Sequence, residues 1–400
     1  MGEWQRKTIG DLVMLQRGID LPDAERKPGS VPIMGSFGIT GRHSEFACKG
    51  PGVTVGRSGA SAGVVCYIDE DFWPLNTCLY VRDFKGNHPR FAYYLLKTFD
   101  LASLNSGSAQ PSLNRNFVHP VPAAFPDPPE QEAIASVLGA LDDKIELNRR
   151  MNETLEAMAR AIFKDWFVDF GPTRAKMEGR APYLASDIWS LFPDGLDESA
   201  KPAGWSVKPL DQVANFLNGI ALQKYPANGG DSLPVIKIAQ LRAASVVSAD
   251  FASTEIPKDY VVENGDVLFS WSGSLLHRVW TAGRGALNQH LFKVTSTQFP
   301  KWFFFEWIAE HMPSFQATAA SKATTMGHIQ RHHLTQAATV IGTPAVMKAA
   351  DELIAPLFNR HIANNLESRT LATMRDFLLP KLMSGEVRVK DAEKLVGEAT

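Results

Sequence analysis

Four clusters in the sequence carry side chains of the types that do chemistry. Asp127-Pro128-Pro129-Glu130 has the acid and the prolines of a site that methylates a flipped-out base amine. Such a site needs an aromatic ring to stack on the base, and Glu130 stands where that ring belongs. Pro193-Asp194, with Glu198 and Lys201 behind it, hints at a nuclease carboxylate pair. The E-x-K spacing is wrong and the surrounding segment is turn-rich, so coincidence explains it. His328 and His332 are one helical turn apart, with His333 beside them. No adjacent carboxylate provides a third ligand or a general base, so a metal site is not expected. The bland reading is a polar helix face; the functional one is contact with phosphate or base. The aromatic run Trp302-Phe303-Phe304-Phe305, with Trp307, is consecutive and not one-sided. It reads as core before it reads as a base-stacking platform.

No GxxxxGK[ST] loop is present, and no GxGxxG follows a strand-like run. The cysteines Cys48, Cys66 and Cys78 are odd in number and form no CxxC, which predicts reduced structural thiols and no zinc. The chain therefore shows no catalytic constellation and no metal or cofactor site of its own. It has no apolar run of about eighteen residues, the length a membrane helix needs. The start, MGEWQRKTIGD, has no apolar signal core, and Gln5-Arg6 lies where myristoylation wants Ser or Thr. A cytoplasmic location is expected.

The net charge of −2 argues against a nucleic-acid binder, but its distribution is uneven. Residues 1–126 carry +2, 127–170 carry −5, 171–204 carry −1, 205–345 carry +2 and 346–400 are neutral. Mildly basic halves separated by an acidic stretch permit DNA binding without requiring it.

Four hundred residues exceed one usual core, so two or three domains are expected. Short β-like runs, VPIMGSF, GVTVGRSG, AGVVCYI and TCLYVRDF, precede the helical FAYYLLKTF. The second half repeats the first. Trp205, Leu210 and Gly219 lie 201 residues after Trp4, Ile9 and Gly18. NGDVLFSWSG echoes PGVTVGRSG; ALNQHLFKV echoes PLNTCLYV, with Asn288 212 residues after Asn76. SKATTMGHIQRHHL echoes SGSAQPSLNRNFV, with Gln330 falling 217 after Leu113.

Residues 128–170 form the stretch that must position these halves. Ile134, Leu138, Leu141, Ile145, Asn148, Asn152, Leu155, Ala159, Ile162 and Trp166 are spaced alternately four and three apart. That 3.5-residue period is a coiled-coil seam. About 40 residues make a rod of roughly 60 Å, which needs a partner helix. The stretch after Pro344 supplies one, with Leu371 and Met374 lying 216 after Leu155 and Met158. Pro356 falls where the first rod has Ala140, which predicts a kink there, with Pro380 closing the helix. Two equivalent rods in tandem order pair antiparallel about a pseudo-twofold axis. Asn148 and Asn152 in the seam are expected to fix register at a cost in stability. Replacing both with Leu is expected to stabilise the pair.

The run PPEQEAIASVLGALDDKIELNRRMNETLEAMARAIFKDWFVDF, with FGPTRAKMEGR and SLFPDGL after it, resembles the central conserved region of type I restriction–modification specificity (S) subunits. The resemblance is strongest over 126–195, moderate in the second rod and weak inside the globular halves. It implies an α+β chain: two tandem, mainly β target-recognition domains and two long helices packed as an antiparallel coiled coil. On that plan 1–126 is the first recognition domain, 127–170 the first spacer helix and 171–204 a linker. Residues 205–344 form the second domain, 345–385 the second helix and 386–400 a tail. The resemblance also implies a non-catalytic subunit that reads a bipartite site on double-stranded DNA. It implies two methyltransferase (M) subunits as partners and restriction (R) subunits in the full complex. S-adenosylmethionine, ATP and Mg²⁺ would belong to those partners.

Each domain then needs phosphate contacts for register and a few side chains at base edges. In the first half the candidates are Arg57, Ser58, Asn76, Gln110, Ser112, Asn114 and Arg115. In the second they are Ser270, Ser272, Asn288, Lys322, Thr324, Thr325, His328 and Arg331. All lie in turns equivalent across the repeat. The competing reading is a coiled-coil scaffold that assembles partners without reading DNA.

Overall fold

The computed structural model describes residues 4–104, 112–227, 229–321 and 327–397. The chain divides into two compact units. The first comprises Met1–Glu146 with Thr370–Thr400, and the second Leu147–Arg369.

Each unit is built on the same frame. In the first, a four-stranded antiparallel sheet runs Met14–Arg17, Cys78–Asp83, Gly52–Gly56, Val65–Ile68. In the second the order is Asn215–Asn218, Leu291–Thr295, Val267–Ser270, His277–Val279, again antiparallel. A small sheet with one parallel pairing accompanies each: Val31–Gly35 beside Trp73–Pro74, and Ser232–Ile236 beside Gly285–Leu287. An antiparallel ribbon joins the start of each domain to its end, Gln5–Thr8 with Pro122–Phe125 and Ser206–Pro209 with Ala338–Ile341. A close backbone approach explains the repeated glycine. A Cβ on Gly18 would lie 2.1 Å from the Leu75 carbonyl oxygen, and one on Gly219 would lie 2.2 Å from that of Asn288.

One helix covers each sheet. Pro89–Lys97 buries Phe91, Tyr94, Leu95 and Leu96. Its counterpart Lys301–Ser321 buries Trp302, Phe303, Phe304 and Trp307, so the aromatic run is core as expected.

The long helices run Pro128–Phe163, followed by a π-helical turn over Lys164–Val168, and Pro344–Met383. In the first unit Ile134, Leu138 and Leu141 join Leu371, Leu378 and Leu382 in one core with the sheet. Asp142 there accepts hydrogen bonds from Tyr94 and Arg375, which ties the domain helix and both long helices together. In the second unit Asn148 donates to Glu367, Asn152 donates to Asn365, and Glu156 meets His361. The partner number falls as the first rises, so the pairing is antiparallel.

Neither proline stops the second helix. Pro356 is exposed, so the carbonyl one turn before it, on exposed Glu352, is open to water. Pro380 is exposed as well, and the carbonyl it leaves without a donor, on exposed Asp376, is likewise open to water. The linker is more ordered than its composition suggests. It holds helices Gly171–Met177 and Ser186–Trp189, and Phe192 packs on Trp166 and Trp205. The tail forms a helix, Val389–Gly397, whose Ala392 is buried in the first unit's core.

Candidate nucleic-acid interface

The strand Met14–Arg17, the end of Cys78–Asp83 and the turns at 57 and 76 line one side of the first sheet. The segment 112–115 is stitched to them. Ser112 bridges to Ser58, and the Leu113 amide donates to the Arg57 carbonyl at 2.7 Å. Asn114 then caps the short helix Arg115–Val118 by accepting from the Asn116 amide. The result is an open cleft of about 920 Å³.

Five of the seven expected residues of this half line the cleft: Arg57, Asn76, Ser112, Asn114 and Arg115. Ser58 lies next to it in the bridge, and Gln110 is outside the described residues. Sequence reasoning missed Gln16, Arg17, Asp20 and Arg82, which line it too. Arg17 and Arg82 come from neighbouring strands, and the Arg82 guanidinium donates to Gln16 at 3.1 Å. The repeated glycine at 18 marked this strand end; strand alternation alone did not mark its polar face. Four arginines against one carboxylate make the cleft cationic, although the chain as a whole is not.

His119 braces the cleft from behind. The Leu15 amide donates to its Nε2 at 3.0 Å, so the ring is a neutral acceptor. Burial, with Arg115 and Lys85 nearby, holds its pKa below the usual imidazole range and keeps it so.

The same stitching recurs in the second unit. Ser272 bridges to His328, and the Ile329 amide donates to the Trp271 carbonyl at 2.9 Å. Ser112 is thus equivalent to His328, and Asn114 to Gln330, one residue off the pairing of Gln330 with Leu113. Insertions in the preceding loops hide that slip in the sequence. Gln330 holds the N-cap position of Arg331–Gln336 as Asn114 does in its own helix, but there the backbone amide of Gln330 donates to His333 Nδ1 at 2.9 Å in place of a side-chain cap.

The side chains on this second frame differ. Trp271 stands in the place of Arg57, donates to Asn218 at 2.8 Å, and packs its ring near His290 and His328. Ser272 is within 3.0 Å of His290 Nδ1. Arg331 donates to the Phe216 carbonyl and lies over the Phe292 ring. Ser270 is fully buried, and its hydroxyl closes the hairpin turn onto Ser274 and Leu276. Asn288 is 6% exposed and accepts from the His290 amide. These two hold the frame and present little surface. Lys322, Thr324 and Thr325 lie outside the described residues. The His332 and His333 rings lie 3.9 Å apart and tilted by 37°, and no group of three metal-binding side chains occurs among the described residues.

In the helices Asn148 is fully buried and Asn152 nearly so. Asn148 Nδ2 donates to Glu367, and Asn364 donates to Asn152, so the two asparagines sit in a polar ladder. The side-chain amide oxygens, Oδ1, of Asn148 and Asn364 are buried without a hydrogen bond. Cys78 is buried, with its thiol pushed up to about 12, and none of the cysteines forms a disulfide. No helix among the described residues is long and apolar enough to cross a membrane.

Comparison with known proteins follows the same lines. The family described as "Type I restriction modification DNA specificity domain" matches residues 1–157. The chain is 27% identical over 314 residues to the type I restriction enzyme MjaIX specificity subunit of Methanocaldococcus jannaschii, covering 75% of this chain and 69% of that one. It is 24% identical over 364 residues to the HindI specificity subunit of Haemophilus influenzae, covering 75% and 77%. Among solved structures, the type I S subunit from M. genitalium shares the fold, with a TM-score of 0.59 at 17% identity over 95% of this chain and 96% of that one. The duplicated sheet frame and the two long helices thus accompany a likeness, in sequence and in fold, to type I restriction–modification specificity subunits.

Proposed function

We propose that each unit reads one half of a bipartite site on double-stranded DNA, and that the long helices set the distance between the halves. The cationic cleft of the first unit carries this reading. Arg17, Arg57, Arg82 and Arg115 converge there from four separate segments, and fork-shaped guanidinium groups suit phosphates and the guanine edge. Trp271, His290, His328 and Arg331 are the corresponding readers in the second unit. The chain itself is non-catalytic. Its acidic first helix and the segment 171–204 dock two methyltransferase subunits, with restriction subunits joining the full complex. S-adenosylmethionine, ATP and Mg²⁺ act on those partners.

Binding of the complex of this chain with methyltransferase to duplex DNA across salt tests the proposal. A steep negative slope and a bipartite preferred site are expected. Absent or salt-independent binding leaves the scaffold reading standing instead. A chimera that exchanges 205–345 for the same region of a relative should change one half-site only. A change in both halves sinks the two-module reading.

A further inference from the structure

Asp20 is the one carboxylate in a cleft lined by four arginines. Among the described residues it forms no ion pair with any of them, and Asn76 Nδ2 donates to its Oδ1 at 2.7 Å. A cleft built only to hold phosphates gains nothing from this group, because a carboxylate repels them. Nor is it buried structural wiring, since Asp20 is exposed and Asn76 half-buried. The second unit keeps the asparagine but not the pair. Ala221 stands 201 residues after Asp20, and Asn288 is turned to the His290 amide. The dyad is therefore a property of one cleft and not of the frame.

We propose that Asp20, oriented by Asn76, recognises an exocyclic amino group of one base, adenine N6 or cytosine N4, in the half-site of the first unit. The proposal rests on the DNA-reading role of the cleft and names one contact within it. An ionised carboxylate only accepts hydrogen bonds. In the major groove the base donors are adenine N6 and cytosine N4, whereas guanine O6 and N7 and thymine O4 are acceptors. Asp20 therefore welcomes A or C and repels G or T at the same position. The surrounding arginines keep the cleft attractive to the backbone while this happens. Asn76 is a positioning residue: its donated hydrogen bond fixes the carboxylate plane, and its own carbonyl and second N–H stay available to a neighbouring atom.

The test is selection from a randomised duplex library by the full chain with its methyltransferase partners, using wild type, Asp20→Ala, Asp20→Asn and Asn76→Ala. In wild type one position of one half-site should favour A or C over G or T. In Asp20→Ala that preference should fall roughly 5- to 150-fold, the range for removing one specific base interaction. Asp20→Asn, which can also donate, should admit G or T at the same position. Asn76→Ala should weaken the same preference and no other. The second half-site is the internal control, and melting temperatures should not move. If Asp20→Ala tightens binding to all sequences equally and keeps every preference, Asp20 only tunes charge and the proposal is overturned. A wild type that selects no sequence would overturn the DNA-reading role as well, which separates the two failures.

Discussion

Ser58 bridges to Ser112 in the first unit as Ser272 bridges to His328 in the second, yet opposite chemistry surrounds the two bridges. Four arginines and an aspartate line the first; a tryptophan, two histidines and one arginine gather round the second. The frame comes from backbone hydrogen bonds, glycines and a buried apolar face, none of which constrains an outward side chain. A duplicated reader can therefore keep its fold and change what it reads. The junctions with the long helices are also inverted in charge. In the first unit Arg90 of the domain helix pairs with Asp143 of the long helix. In the second Arg160 of the long helix pairs with Glu306 and Glu310 of the domain helix.

The contrast between the clefts gives the largest expected effect. Replacing Arg17, Arg57, Arg82 and Arg115 together with Ala should flatten the plot of log affinity against log salt by up to about four, near 0.9 for each phosphate that is no longer neutralised. Arg331→Ala should change it by about one at most. Equal changes in the two variants would break the comparison.

The helices carry the next contrast. The seam is leucine-rich in the first unit and asparagine-rich in the second. Sequence reasoning expects Asn148→Leu with Asn152→Leu to stabilise the pair. The structure revises this, because the double change strips the buried Asn364 amide of the acceptor that Asn152 supplies. A loss of about 2–4 kcal/mol is expected in denaturant unfolding. Adding Asn364→Leu should recover most of it while loosening the choice of spacer. A double variant as stable as wild type would remove the ladder from the account.

The shared frame predicts equal damage where the units agree. Gly18→Ala and Gly219→Ala each drive a Cβ onto a backbone carbonyl. Each should cost about 1–3 kcal/mol, read as matching drops in melting temperature. A strong effect in one unit alone would mean that the two approaches are not equivalent.

The smallest effect belongs to the second unit alone. Burial pushes the Glu306 carboxyl up to about 7, with Arg160 opposing the shift. Burial, aided by Arg160 and opposed by Glu156, holds His277 down at about 4. As pH falls from 7 to 4.5 the folded state takes up the Glu306 proton first, which adds stability. As pH falls from 6.5 to 4 the unfolded state protonates His277 first, which removes it. The two nearly cancel in wild type. Glu306→Gln should unmask a loss on acidification and His277→Gln a gain, each at most about 1.4 kcal/mol per pH unit. Parallel slopes in the two variants would show that the groups do not act independently.

Much of the architecture was legible because it rests on period and repetition. The seam from Ile134 to Trp166, the 201-residue repeat of Gly18 in Gly219 and the turns around Arg57 and Trp271 are local patterns. Pro356 lies inside one continuous helix, and the exposure that opens its freed carbonyl to water is not in the sequence. Ser270 misled because a turn serine looks alike whether it faces solvent or closes its own hairpin.

The sequence by itself determined the duplication, the two long helices and the absence of a recognisable catalytic motif, since these follow from spacing along the chain. Only the tertiary structure decided that Arg17, Asp20 and Arg82 join Arg57 and Arg115 in one cleft. It also decided that Asn148 meets Glu367, over 200 residues away. Such meetings depend on strand register and on the antiparallel docking of helices, which the whole buried core selects and no local window encodes.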